Sequence, residues 1–139
     1  MNPIFGAALE IQEFREGRLP DAREFAVRNR VVLLRSALGV PIDVALGAML
    51  FEERAVERAS AFTVQSGVEL TTCSAEDLIV FKAFAGREKD WLDIEGIAVR
   101  QGDQLDQTLI WAELAPLLEL KEAPEDATRL RALLDRAQA

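Results

Sequence analysis

Apolar residues recur at spacings of three and four through most of the second half of the chain, whereas between positions 30 and 72 they alternate or run together. The first pattern belongs to helices that bury one stripe, the second to strands. At the front, Asn2 and Pro3 open a predicted helix in which Ile4, Ala7, Ala8, Ile11 and Phe14 keep the three-four spacing until about Gly17. Proline suits the first helical position because its missing N–H is not needed there. Residues 17–21, with Pro20, read as a connection, and from Glu24 the residue types shift toward strand formers. Residues 30–35 and 40–46 form a predicted hairpin, 51–59 a short charged helix, and 61–64 and 68–72 two strands around the turn at Ser66 and Gly67.

Beyond Thr72 the pattern is helical throughout. Ser74 and Asp77 come close to a capping box, with a hydroxyl for a free amide and acids for the positive end of the helix. That helix stops at Gly86; others are expected over 88–100, ending at Gly102, over 106–121, and over 125–137 after Pro124. Strands gathered before helices predict one α+β domain over 1–139. It has a small, mostly antiparallel sheet in a strand region of about 24–72, an N-terminal helix, and a C-terminal helical tail over about 74–138 that covers the sheet.

Composition narrows the chemistry. The 139 residues include no histidine, which closes Ser-His-Asp and Cys-His catalysis and imidazole-based zinc sites. A single cysteine, Cys73, excludes an intrachain disulfide and favours a reducing compartment. Sixteen basic against 24 acidic residues argue against a nucleic-acid grip spread over the whole surface. The basic residues concentrate between Arg15 and Arg35, where six arginines meet three acids, leaving a local polyanion site, RNA included, open there. No run approaches about 18 apolar residues and no basic-start secretory signal is present, so the expectation is a cytoplasmic protein off the membrane.

Three groups of residues carry candidate chemistry. Asp43 stands in an apolar strand between Ile42 and Val44, where a carboxylate needs a metal, an arginine or open water. Lys82 is the mid-helix charge of a segment that is apolar nearly all round; it either snorkels to solvent or meets an anion such as phosphate in a cleft. Arg87 and Lys89 follow, with Asp90 and Asp93 three apart on one face of the next helix. Those two acids either complement the helix dipole or orient Lys82 or a metal-bound ligand. Trp91, Ile94 and Ala98, and likewise Trp111, Leu114, Leu117 and Leu118, read as core stripes.

The stretch from Ala75 to Asp93, with Glu76, Asp77, Leu78, Lys82, Ala85, Arg87, Asp90 and Asp93, resembles a motif of small bacterial nucleotidyltransferase-like proteins with a polymerase-β-like fold, among them the AbiEii-type toxins. The hairpin bearing Asp43 resembles their strand with the third metal-binding carboxylate, and the likeness covers about 28–100. The resemblance implies Mg²⁺-dependent transfer of a nucleotidyl group from an NTP to a hydroxyl, with an RNA acceptor and an antitoxin as partners. In that scheme Asp43 would be a catalytic carboxylate on the metal and Lys82 the lysine that steadies the triphosphate, with Arg87, Asp90 and Asp93 beside it.

The chain departs from the family in one block. It has no Gly-Gly or Gly-Ser turn and no Asp-x-Asp; Asp93 and Glu95 make its one Asp-x-Glu, in a predicted helix. Two of three metal carboxylates are missing, as if a block were lost near Arg15 to Arg18. One carboxylate does not organise a two-metal site, so the expectation is a weak or dead enzyme. The alternative is a non-catalytic interaction module of the same fold, a homodimer that covers the strand edges left open.

Overall fold

A computed structural model describes residues 14–17, 21–36 and 38–137. The fold is α+β, as the order of strands and helices predicts. Within the span read as one domain, the chain gathers into two compact units, 1–50 and 51–139, and each is described by itself.

The first unit holds β1 (Phe14–Gly17), α1 (Ala22–Asn29), β2 (Val31–Ser36) and β3 (Pro41–Ala45). The three strands form one antiparallel sheet in the order β1-β2-β3. Val32 faces Val44 and Leu34 faces Ile42, which gathers apolar side chains on one face, while Leu33 faces Asp43 on the other. The turn between β2 and β3 is tied by Ser36, whose N–H donates to the Val40 carbonyl at 2.9 Å and whose hydroxyl accepts from the Val40 N–H at 3.1 Å. Gly39 takes the positive φ of 84° that this turn requires.

Two expectations meet the structure differently here. The predicted helix from Pro3 to about Gly17 lies outside the described residues except for Phe14–Gly17, and those four residues are a strand. It pairs with β2, so its backbone bonds come from a distant partner that local spacing does not reveal. Residues 22–29, assigned to the strand region, are a helix. Glu24 and Arg28 are joined across one turn at 2.5 Å, Ala26 is buried, and α1 packs on β2.

The second unit contains α2 (Leu50–Glu57, which starts at the boundary), β4 (Ser60–Gln65), β5 (Val68–Thr72), α3 (Ala75–Ala85), α4 (Glu88–Gln101), α5 (Gln107–Lys121) and α6 (Pro124–Ala137). All the buried apolar residues among those described, Ala26 excepted, belong to this unit. Ile79, Val80 and Ala83 of α3 occupy the centre, with α4, α5 and α6 packed around that helix. Ile94, Ile110, Leu114 and Leu130 are fully buried. On α3 only Ala85 is exposed, as its all-round apolar pattern implies. Phe51 of α2 is buried with its ring 4.7 Å from that of Phe81.

The two predicted strands at 61–64 and 68–72 form the β4–β5 hairpin, with Phe62 opposite Leu70 and an irregularity between Thr63 and Gln65. Every position of both strands is exposed. The picture of one sheet under a helical tail is therefore corrected: the described strands form two separate sheets, one per unit, and the helices of the second unit pack on one another. Among the described residues no helix is long and apolar enough to cross a membrane.

Candidate functional site

The corner between α3 and α4 collects most of the residues singled out in the sequence. Ser74 caps α3, its hydroxyl accepting from the Asp77 N–H at 3.1 Å. Gly86 ends the helix at φ 68°, with its N–H on the Lys82 carbonyl at 2.9 Å. Arg87 is extended and at once starts α4, so a two-residue joint turns the chain back on itself. A side chain at Gly86 would bring its Cβ within 2.8 Å of the Lys121 Nζ and 3.1 Å of the Asp126 Oδ2, an ion pair packed over the joint.

Around that joint, Lys82 donates to Asp93 Oδ2 at 2.6 Å and lies 3.8 Å from Asp90 Oδ1. Asp90 is 1% exposed and is held by the Arg87 Nε at 2.6 Å, its Nη2 at 3.1 Å and its backbone N–H at 3.3 Å. The Arg87 guanidinium keeps the Asp90 carboxyl below the ordinary carboxylate range, against the opposing pull of burial. Trp91 sits behind, buried, with its Nε1–H on the Gly86 carbonyl at 3.2 Å and the Arg129 guanidinium 4.6 Å above its ring. Arg129 in turn forks onto Glu88 at 2.8 and 3.0 Å.

The structure thus brings Lys82, Arg87, Asp90 and Asp93 together, with the two acids orienting the lysine. Two cations and two anions cancel, so the corner has no excess charge to draw an anion. A triphosphate would have to displace Asp93, whose side chain is 55% exposed, from the Lys82 ammonium. Asp43 lies in the other unit, exposed on the outer strand β3 opposite Leu33. Among the described residues no three Asp, Glu or Cys side chains stand close enough to hold a metal ion.

A second polar cluster escaped the sequence reading. Arg54 forks onto Glu113 through Nε at 3.0 Å and Nη2 at 2.5 Å, and Arg58 donates to Glu113 Oε1 at 2.9 Å. Arg58 also forks onto Asp77, Nε at 3.1 Å and Nη2 at 2.6 Å, and the Ser74 hydroxyl donates to Asp77 Oδ2 at 3.2 Å. Asp77 and Glu113 are buried, and the pairing ties α2 to α3 and α5. Hydrogen bonds from Arg54 and then Arg58 depress the Glu113 carboxyl, while the bonds to Asp77 raise the Arg58 guanidinium. Burial, followed by the Asp77 charge, pushes the half-buried Cys73 thiol up. The available signal was Glu113, a carboxylate beside Leu114 in the apolar stripe of α5, together with two arginines four apart, Arg54 on α2 and Arg58 just past its end.

These carboxylates make stability depend on pH. Asp90, Glu113 and Glu88 all have folded-state values lowered from the ordinary 3.8 or 4.5 by arginine partners. In the acid range the unfolded chain therefore binds more protons, and stability falls as pH drops. The urea midpoint is expected to stay level from neutrality to about pH 5 and then decline steeply as pH passes down through the lowered values. A midpoint unchanged between about pH 5 and pH 3 would contradict these pairings.

No family model, no curated protein and no solved structure matches the chain.

Proposed function

We propose that this chain is a protein-interaction module built on a nucleotidyltransferase-like frame, which associates with another polypeptide and does not itself transfer nucleotides. One observation carries the reading: the β4–β5 hairpin is exposed at every position, with the large apolar side chains Phe62, Val64, Val68 and Leu70 in water and both outer strand edges unpaired within the sheet. An uncovered apolar hairpin is a surface that another chain can cover or extend. Engagement of Lys82 by Asp93 supports the absence of transfer, because the lysine that the resemblance assigns to the triphosphate is already neutralised. Light scattering across a concentration series is expected to give a mass above that of the single chain. In parallel, incubation with Mg²⁺, labelled NTPs and a mixed tRNA pool is expected to leave the RNA unlabelled. Robust label transfer abolished by Asp43→Ala would overturn this reading.

A second reading, a nucleotidyltransferase that uses Mg²⁺ and an NTP and is neutralised by an antitoxin, is favoured by the gathering of Lys82, Arg87, Asp90 and Asp93 at one corner. It requires Mg²⁺-dependent NTP binding that disappears in Lys82→Ala, readable by equilibrium dialysis.

A further inference from the structure

We infer that residues 51–72 form an arm that opens from the α3–α6 helices as one piece, with Arg58 as its clasp, whatever the hairpin binds. The arm is α2 from Phe51 on, joined through Arg58 and Ala59 to the β4–β5 hairpin. Neither part stands well alone: an eight-residue helix is too short to hold itself in water, and a two-stranded hairpin is marginal there. Nor does packing hold them firmly. Every hairpin position is exposed, and of α2 only Phe51 and Ala55 are buried, while Val56 is 75% exposed.

What holds the arm is charge placed at its joints. Arg58 stands between α2 and β4, and Asp77 lies in the first turn of α3, just after β5. The fork from Arg58 to Asp77, Nη2 at 2.6 Å and Nε at 3.1 Å, therefore closes the root of the hairpin. The same guanidinium gives its Nη1–H to Glu113 of α5 at 2.9 Å, and Arg54, one turn back on α2, forks onto that carboxylate. One side chain thus fixes the end of α2, the root of the hairpin and the contact with α5, so its withdrawal undoes all three together. Charge and packing respond differently to opening. When the arm lifts, water hydrates the arginines and carboxylates and offsets much of the lost pairing. Separating Ile79, Ile94, Ile110 and Leu114 exposes apolar surface with no such compensation. The arm is thereby the part of the unit that opens first. Opening uncovers the Phe81 ring that Phe51 packs against and frees Asp77 and Glu113, an acidic and apolar face of α3 and α5 that the closed form hides.

Hydrogen exchange of the full chain, read residue by residue, is the test. The amides of 54–58 and of the paired positions in β4–β5 are expected to share one opening constant, about 30-fold or more above that of the α3 and α5 centres. Ile94→Val loosens the packing among the helices and is expected to speed exchange of those centres about 3- to 10-fold. It should leave the arm unchanged, because Ile94 stays buried when the arm opens. Arg58→Met keeps the length and removes the charge; it is expected to raise the opening of α2 and of the hairpin by the same factor, about 10-fold or more. An arm as protected as the helix centres, or one that Ile94→Val speeds equally, would open only by unfolding of the whole unit, and the proposal would fall. Unequal opening constants for α2 and the hairpin in the wild-type chain, which needs no variant to fold, would overturn it too, as would an Arg58→Met effect confined to one of them.

Discussion

Trp91→Ala is expected to lower the stability of the second unit by about 3–5 kcal/mol, the range for deleting a buried tryptophan. The indole is 3% exposed, closes the α3–α4 joint through its bond to Gly86, and lies beneath Arg129. Truncation removes the largest buried side chain of α4, frees a carbonyl at the joint and strips Arg129 of its platform. Against a total of about 0.05–0.15 kcal/mol per residue, this is a large share of what holds the unit together. Each kcal/mol corresponds to about 4–8 °C in a domain of this size, so thermal unfolding should move down by more than 10 °C, roughly. A loss under about 1 kcal/mol would mean that Trp91 is not packed as described.

Asp77→Ala should cost about 2–4 kcal/mol in a urea titration. Its carboxylate is fully buried and receives two bonds from Arg58 and one from the Ser74 hydroxyl. Removing it leaves the Arg58 cation with Glu113 alone. Arg58 remains 29% exposed and recovers some hydration, which keeps the loss from the top of the range for broken buried pairs. Asp77→Asn keeps an acceptor and the shape while losing the charge, and should cost about half as much. If Asp77→Ala and Asp77→Asn behaved alike, the charge would not be what the site uses.

The helices of the second unit were legible because their ends are written locally: Ser74 and Gly86 around α3, Gly102 after α4 and Pro124 as the first residue of α6 act within a turn of where they stand. The β4–β5 hairpin was legible from Ser66 and Gly67 for the same reason. What stayed hidden depends on distance in sequence. β1 exists by pairing with β2, and α1 is placed by packing on the same strand. The site divides along this line. Asp90 and Asp93 could be put on one helix face from their spacing, but that they meet Lys82 depends on how Gly86 and Arg87 fold α4 back. The Arg54, Arg58, Asp77 and Glu113 cluster joins residues up to 59 positions apart, beyond any local pattern.

Cys73, one residue past the end of β5, has a thiol that burial and the nearby Asp77 keep protonated at neutral pH. Attack on oxidants and disulfides proceeds through the thiolate, so this sulfur is a sluggish reagent. Air oxidation is therefore a poor route to cross-linked copies, and an assembly of this chain that survives dithiothreitol owes its cohesion to noncovalent contact.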